Sequence, residues 1–364
     1  MACSSWLTNI LPSTTEVTDL KKRISLLLAL TLCLTLLAAC GGVAAPAATT
    51  DSAAVTSGTT QAPTETTAPP EPTISQAAID ALDGKRILFI GNSYTYWGSV
   101  VINKPVTVSD QAERSHDHGL FYQLCKENGI DVDVTNWVFA GHDLTDMTGE
   151  KCLCDAMECV GTNHISYLED RVFDYVCIQP FFESEYTGDI VSHLTPTMEM
   201  FRAANPEVKF LLLVPHATYF RNFKWKGELQ AAADAGITVV NWGGMLDDIV
   251  NKRVEVPGAT QQYFFGSFVI SKSEGDGHHQ NLLAGYLTAM MTYCAITGDS
   301  AVGQPYAFAD DPSIHPNFDM DNFKATNYTH EPFTNFVDIY RSEADMLGLQ
   351  QLADQYLAKY NGGN

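Results

Sequence analysis

A serine, a histidine and an aspartate stand in two short segments whose residue types suit nucleophilic catalysis. Gly91-Asn92-Ser93 directly follows a short apolar run, and Asp276-Gly277-His278-His279 directly precedes a long apolar stretch. A serine hydroxyl is a weak nucleophile, and a neutral imidazole near pH 7 can accept its proton. A carboxylate beside the histidine can fix the imidazole tautomer and stabilise the imidazolium. The two segments therefore supply Ser93 as nucleophile, His279 as base and Asp276 as its orienting carboxylate.

Each segment also has a purely structural interpretation. Serine is a favoured N-cap residue, so Ser93 could simply begin a helix without any chemistry. The segment from Asp276 to His279 could likewise cap the apolar helix that follows and leave its histidines in solvent. We expect Ser93 to project from the strand end as an exposed residue. Taken one at a time, the segments leave both interpretations open.

A third segment could stabilise negative charge on a reacting carbonyl oxygen. Gly141 follows an apolar run in Phe139-Ala140-Gly141-His142. A glycine at a strand end lets the backbone approach a ligand closely, so its N–H group can serve as an oxyanion donor. The backbone N–H of Ser93, near a helix N-terminus, is a second candidate donor. By itself Gly141 is also an ordinary turn residue.

Five short apolar runs must position these groups, and helix-like stretches lie between them. The runs are too continuous for strands with one wet face and are typical of parallel strands buried on both sides. Their regular alternation with helices predicts a three-layer α/β/α sandwich with a flavodoxin-like, doubly wound parallel sheet. In such sheets, ligands bind beyond the carboxyl ends of the strands. The predicted strands are 87–90, 132–139, 173–178, 208–214 and 237–241, and the predicted helices include 110–128, 192–204, 225–235, 280–297 and about 333–359.

Taken together, the three segments resemble the SGNH, or GDSL-like, hydrolase superfamily over about residues 85–300. Gly91-Asn92-Ser93 looks like the family's Gly-Asp-Ser block with Asn in place of Asp. Gly141 resembles its oxyanion glycine, and Asp276 to His279 has its Asp-x-x-His spacing. The resemblance implies the SGNH hydrolase fold and the roles of nucleophile, base and orienting carboxylate given above, with His279 rather than His278 as the base.

One block departs from the family pattern. The third predicted strand is followed by Gln179-Pro180-Phe181-Phe182, where the family has a Gly-x-Asn-Asp block. Gln179 has an amide donor at the corresponding strand end and could replace the missing Asn in the oxyanion hole. The alternative is that the Ser93 and Gly141 backbone donors suffice and Gln179 is structural.

A literal Gly-Asp-Ser also occurs at Gly298-Asp299-Ser300. It follows a predicted helix rather than a strand, and Gly298 is the expected C-terminal stop of that helix. It also comes after the Asp-x-x-His segment, which is the wrong order for the family. We therefore expect Ser300 to have no catalytic role.

Several residues near these segments could border a substrate pocket. The aromatic side chains that flank Ser93 could stack on a sugar ring, although core packing is the usual role of such residues. His216 follows the fourth predicted strand and could face the same pocket or be structural. The candidate pocket residues are Asn92, Tyr94, Tyr96, Trp97, His216 and His278.

The N-terminal region has the pattern of an export signal. Lys21-Lys22-Arg23 precedes an apolar run over 24–39, which is short for a membrane span. Leu37-Ala38-Ala39-Cys40-Gly41 resembles a bacterial lipobox, with Cys40 as the lipidated residue; an ordinary signal-peptidase site is the alternative. The long polar stretch before Lys21 suggests that translation could start later. We therefore predict a signal peptide over 1–39 and anchoring of the chain outside the cytoplasm at the cell membrane.

The organisation after the signal follows from composition. Residues 40–76 are rich in Ala, Thr and Pro and are predicted to be a disordered tether, because they bury too little apolar surface to order. The domain then spans 77–364, with an insertion at about 142–170.

The whole chain has 21 Lys+Arg against 43 Asp+Glu, a net charge of −22. This balance excludes nucleic acid as an expected partner, since phosphate contacts need clustered basic residues.

The cysteines separate into two groups. Cys125, Cys177 and Cys294 fall in strand or helix patterns and are predicted to be buried, inert side chains. Cys152, Cys154 and Cys159 cluster in the insertion near His164. These three could form a disulfide, bind zinc, or do neither. We predict no catalytic metal and no organic cofactor.

These observations converge on one prediction of function. We expect a lipid-anchored, extracytoplasmic serine esterase that hydrolyses carboxylic esters through an acyl-enzyme; O-acetyl groups on glycans are the substrate suggested by family analogy. The alternative is a non-catalytic surface lipoprotein that holds a carbohydrate in the same cleft.

Overall fold

The computed structural model describes residues 74–96, 98, 100–101, 119–138, 144, 172–180, 189–216, 228–260, 263, 268, 279–310 and 342–362. All of them belong to one compact unit, Thr67–Asn364. The predictions for the signal, for Cys40, for the tether before residue 74 and for the cysteines of the insertion fall outside these residues.

The described sheet has five parallel strands in the order β2-β1-β3-β4-β5. The strands are β1 (Lys85–Gly91), β2 (Val132–Val138), β3 (Tyr175–Ile178), β4 (Lys209–Leu213) and β5 (Thr238–Val240). Gly91 at the end of β1 is in register with Val138, and Ile90 with Ile178, so the carboxyl ends of β1, β2 and β3 are level. This order confirms the predicted flavodoxin-like, doubly wound sheet. All five strands coincide with the predicted apolar runs.

Helices connect the strands, and two of them differ from the sequence prediction. The helices are α1 (Gln76–Leu82), α2 (Ser93–Tyr96), α3 (Leu120–Glu127), α4 (Ile190–Ala204), α5 (Leu229–Asp234), α6 (Trp242–Val250), α7 (Leu282–Thr297) and α8 (Glu343–Asn361), with a 3₁₀ turn at Ala307–Asp310. Helix α1 is capped by Ser75, so folded structure reaches into the last residues of the predicted tether. Helix α6 was not among the predicted helices.

The two faces of the sheet are covered by separate apolar clusters. Alternate residues of β1 point to opposite faces, with Ile87 and Phe89 in one cluster and Leu88 and Ile90 in the other. The first cluster contains side chains of α1, α3, α6, α7 and α8; the second contains side chains of α4 and α5. The described chain is therefore a three-layer α/β/α sandwich, as predicted.

Helix α7 is buried along almost its whole length. Its threonines tolerate burial because their hydroxyl groups donate to backbone carbonyl oxygens one turn earlier: Thr288 to Ala284 at 2.8 Å and Thr292 to Thr288 at 2.7 Å. Even so, within the described ranges no helix is long and apolar enough to cross a membrane.

The last residue of α8 pairs with the edge strand. The Asn361 amide donates through Nδ2 to the Val239 carbonyl oxygen and accepts from the Val239 N–H at Oδ1, both at 2.9 Å. This pair of bonds occupies both backbone groups of the middle residue of β5, which lies at the edge of the sheet.

Candidate active site

The turn after β1 is shaped by Asn92. Its side-chain oxygen accepts a hydrogen bond from the Tyr94 N–H at 3.0 Å, and its backbone carbonyl accepts from the Thr95 N–H at 2.8 Å. Asn92 therefore caps α2, whose first residue is Ser93. The interpretation of Ser93 as an N-cap is wrong, because the preceding asparagine does that work. Asn92, predicted to border the pocket, is fully buried and acts instead by positioning Ser93.

Ser93 is less accessible than the sequence suggested. Only 8% of its surface is exposed, and Tyr94, Thr95 and Tyr96 around it are buried as well. The expectation of an exposed serine is wrong because the whole of α2 packs into the edge of the sheet rather than projecting from it. A buried hydroxyl is partly removed from water. Its electrostatic interactions with nearby groups are therefore stronger than they would be in solvent.

Gln179 ties the end of β3 to α2. Its backbone N–H donates to the Ile90 carbonyl at 2.8 Å, and its side-chain oxygen accepts from the Thr95 hydroxyl at 2.7 Å. Its amide nitrogen donates to the Pro180 carbonyl at 2.6 Å. One of the two amide protons is thus already bonded, and the side chain is 1% exposed. These bonds support the structural interpretation of Gln179 more than a role as oxyanion donor.

A row of four rings runs beside α2. The ring of Tyr94, next to Ser93 in the chain, lies 5.4 Å from that of His279 and 5.3 Å from that of His216, measured between centroids. His216 in turn lies 5.9 Å from Trp242. The structure therefore brings the predicted base His279 to the residue beside the predicted nucleophile. Because Tyr94 packs against two histidine rings and is buried, it is not the open sugar platform that the sequence suggested.

Trp242 is the member of this row that the sequence analysis missed. It begins α6 directly after β5, and Asn241 caps that helix through a bond from the Gly244 N–H at 3.1 Å. Trp242 and His216, which follows β4, are both buried. The signal was present: the strand-end rule that selected Ser93, Gln179 and His216 also selects the residues after the fifth strand.

A backbone contact between distant glycines holds the two candidate catalytic segments together. A Cβ atom at Gly285, in the first turn of α7, would lie 1.8 Å from the Gly98 carbonyl oxygen; one at Gly98 would lie 2.5 Å from the Asn281 carbonyl oxygen. Only glycine permits this approach. Asn281 caps α7 by accepting from the Ala284 N–H at 3.1 Å. The start of α7, three residues after His279, is thereby fixed against the segment that follows α2.

Four predicted site residues lie outside the described residues. They are the orienting carboxylate, the oxyanion glycine and two pocket residues: Asp276, Gly141, Trp97 and His278. Their assignments remain predictions. The described part of the site thus comprises Ser93, Gln179, His216 and His279 with the rings between them.

The Gly-Asp-Ser sequence at the end of α7 lies apart from this site. Gly298 adopts a left-handed conformation with φ of 76° and donates to the Cys294 carbonyl, as a C-terminal stop does. The Ser300 hydroxyl donates to the Asp354 carboxylate at 2.5 Å. The position after a helix, predicted from the sequence, is confirmed.

Cysteine and metal chemistry find no support in the described residues. Cys125, Cys177 and Cys294 are free and buried, as predicted, and burial raises the pKa of each thiol well above its usual value, so these thiols stay protonated. Within the described ranges, no group of three or more His, Cys, Asp or Glu side chains could hold a metal ion.

Comparisons with known proteins gave matches among solved structures alone. No protein-family model and no curated protein matches the chain. An acetylxylan esterase from Geobacillus stearothermophilus aligns at 14% identity and a TM-score of 0.38, covering 60% of this chain and 96% of that one. A protein from Parabacteroides merdae described as a GDSL-like lipase aligns at 15% identity and 0.35, covering 60% and 98%. A family 3 carbohydrate esterase from Clostridium thermocellum aligns at 11% and 0.33, covering 67% and 100%. At such identities, a functional assignment rests on the residues of this chain.

Proposed function

We propose that the chain is a serine esterase in which Ser93 is the nucleophile and His279 the general base. The observation that carries the proposal is the contact between His279 and Tyr94, the residue next to Ser93. It joins a strand-end serine and a histidine that are far apart in the sequence, at the sheet edge where doubly wound folds bind ligands. Asp276, three residues before His279, is assigned to orient the imidazole.

The proposed reaction follows from these groups. The Ser93 hydroxyl attacks the ester carbonyl carbon while His279 takes its proton, and the resulting oxyanion accepts hydrogen bonds from the Ser93 and Gly141 backbone N–H groups. Collapse of the tetrahedral intermediate expels the alcohol, which receives the proton from His279, and leaves an acyl group on Ser93. Water, deprotonated by His279, then releases the carboxylic acid and restores the serine.

The location and substrate class come from the remaining sequence features. The lipobox-like sequence at Cys40 and the Ala-, Thr- and Pro-rich stretch that follows it support a membrane-anchored enzyme outside the cytoplasm. A surface enzyme meets glycans, so we assign O-acetyl groups on glycans as the substrate class. Ser93 is 8% exposed and Tyr94 and Tyr96 beside it are buried, which favours a small acyl group such as acetyl.

The deciding experiment labels the protein with a fluorophosphonate and locates the modified residue by mass spectrometry. We expect one labelled residue, Ser93, and turnover of an aryl acetate that falls to background in Ser93→Ala. Ser192→Ala is the matched control, because Ser192 is an exposed serine near the start of α4. It should keep both labelling and turnover.

The same experiment separates the enzyme from the binding protein considered above. A carbohydrate-binding lipoprotein would fail to react with the probe and would hydrolyse no ester, yet would still bind sugar. Labelling at Ser300, or full turnover in Ser93→Ala, would contradict the assignment of the nucleophile.

A further inference from the structure

A polar cavity lies near the amino ends of the strands, whereas Ser93 lies at their carboxyl ends. Its volume is about 130 Å³, and it is bordered by the ends of α3 and α7 and by the turn after α7. Helix α7 starts beside His279 and runs back across the sheet, so its last turn reaches the edge where the strands begin. The described residues that line the cavity are Ile74, Asn128, Tyr293, Asp299, Ser300, Val302, Gly303 and Gln304.

The Tyr293 hydroxyl is a buried polar group on this cavity wall. Its side chain is fully buried, and within the described part of the chain its oxygen makes no hydrogen bond of normal geometry, although the Asn128 side chain lies close enough to interact with it. An unsatisfied buried hydroxyl destabilises a folded protein unless a ligand or water satisfies it. Burial, together with the charge of Asp299, raises the pKa of Tyr293, so the phenol stays neutral.

Hydrogen bonds already engage most of the proton donors around the cavity. Asn128 donates through Nδ2 to Gln304 at 2.9 Å, which leaves its carbonyl oxygen as an acceptor. The Ser75 hydroxyl donates to one carboxylate oxygen of Asp299 at 2.5 Å, which leaves the other oxygen. What remains on the walls is a carboxylate oxygen, an amide carbonyl and the Tyr293 phenol, whose oxygen can accept while its O–H can also donate; three oxygen acceptors are therefore present.

The electrostatics of the cavity point the same way. Asn128 and Gly298 are the C-caps of α3 and α7, so two helix C-termini, the negative ends of their dipoles, meet here. Asp299 adds a full negative charge, and none of the described lining residues is basic. A cavity of this size with acceptors and negative potential suits a small positively charged guest rather than an anion or an apolar molecule.

We propose that this cavity binds a small cation through oxygen atoms of Asp299, Tyr293 and Asn128. Two sources share this chemistry: a monovalent metal ion, which takes oxygen ligands, and a primary ammonium group, whose N–H groups donate to the same acceptors. The site is independent of the esterase reaction and gives the Gly298-Asp299-Ser300 segment a binding role in place of a catalytic one.

The test compares melting temperatures of the full-length protein in different salts at constant ionic strength. The reference salt is N-methylglucamine chloride, whose cation is too bulky for the cavity. Potassium and sodium chloride test the metal ion, and methylammonium chloride tests the ammonium group. At a tenfold excess over Kd, the bound cation should raise the melting temperature by about 3–6 °C. Absence of a rise in all three salts would overturn the proposal.

Three variants assign the effect to the cavity. Asp299→Asn should abolish the rise while its side-chain oxygen still accepts from Ser75. Tyr293→Phe removes a hydroxyl with no described bond, so it should melt no lower than wild type in the reference salt and should at least halve the rise. Asp234→Asn removes the same charge from an exposed position at the end of α5 and should leave the rise intact. Equal rises in wild type and Asp299→Asn would place the cation elsewhere and sink the proposal.

Discussion

A serine in a short glycine-containing motif lies near the carboxyl ends of the strands, and another lies near their amino ends. The two serines differ in exposure, in neighbouring groups and in hydrogen bonding. Ser93 follows the central strand β1, is 8% exposed and lies beside a row of aromatic and imidazole rings. Ser300 follows helix α7, is exposed to solvent and donates its proton to Asp354. Ser300 matches the Gly-Asp-Ser spelling literally, whereas Ser93 stands in Gly-Asn-Ser.

Under the proposed function, the place of a motif in the topology decides its chemistry more than its sequence does. The end of a parallel strand turns into a helix N-terminus, which offers backbone N–H groups to a developing negative charge. The end of a helix offers carbonyl groups, which suit a cation instead. Two tripeptides that differ only in Asn or Asp at the middle position would therefore bind groups of opposite charge at the two ends of the sheet.

The largest expected effect concerns His279, the proposed base near Ser93. His279→Ala should lower kcat for an aryl acetate by about 10³-fold or more, because one imidazole assists both acylation and deacylation. His278→Ala, its sequence neighbour, should lower kcat by about tenfold or less. Steady-state kinetics on the two purified variants give the ranking. The reverse order would mean that the Asp-x-x-His spacing was misread.

A second prediction concerns the backbone contact between Gly98 and Gly285. In Gly285→Ala the new methyl group meets the Gly98 carbonyl, so the free energy of unfolding should fall by about 2–3 kcal/mol, as for overpacked cores. Turnover should fall as well, because His279 loses its fixed position. Urea unfolding and kcat measure the two effects.

The matched change near Ser300 is Gly303→Ala. Nothing lies within 4 Å of a Cβ atom there, although φ is +89°. We expect a loss of about 1 kcal/mol from backbone strain alone and unchanged turnover. Equal losses of turnover in the two variants would contradict a specific role for the Gly98–Gly285 contact.

A third prediction decides between the two interpretations of Gln179. Gln179→Leu leaves the buried Thr95 hydroxyl without its acceptor, so stability should fall by about 1–2 kcal/mol. If the side chain is structural, kcat should change by less than tenfold in the folded protein. A fall of about 10²–10³-fold, typical of a lost oxyanion donor, would instead place Gln179 in the oxyanion hole.

The smallest expected effect belongs to Ser300. Ser300→Ala removes one hydrogen bond to Asp354, which still accepts from the Ala301 N–H at 2.6 Å. We expect a loss of about 1 kcal/mol or less and no change in kcat. Urea unfolding measures the free energy of unfolding, and the aryl acetate assay measures kcat. A large loss of turnover would contradict the expectation that Ser300 has no catalytic role.

Much of the fold could be predicted from local sequence patterns. Strands buried on both sides leave continuous apolar runs, and each of the five runs contains one strand. Helix α6 was missed because Gly243 and Gly244 lower the helix propensity of a nine-residue segment. The start of α1 was missed because one cap, Ser75, ends a long stretch of tether-like composition.

The site was less predictable than the fold, for a physical reason. Strand-end positions identified Ser93, Gln179 and His216, since that rule depends on chain direction alone. The burial of Ser93, the capping by Asn92 and the packing of Tyr94 between two histidines depend on contacts between distant segments. Gly98 and Gly285 touch through their backbones, and no local pattern at either position marks that contact.

The bond between Asn361 and Val239 has a consequence for the behaviour of the protein at high concentration. An open edge strand offers N–H and C=O groups that a second chain can pair with, which is a common route to aggregation. At β5 the side-chain amide of Asn361 occupies both backbone groups of Val239, in the way a neighbouring strand would. The C-terminal helix thus covers part of the open edge of β5, which should make the protein less prone to associate with other copies through that strand.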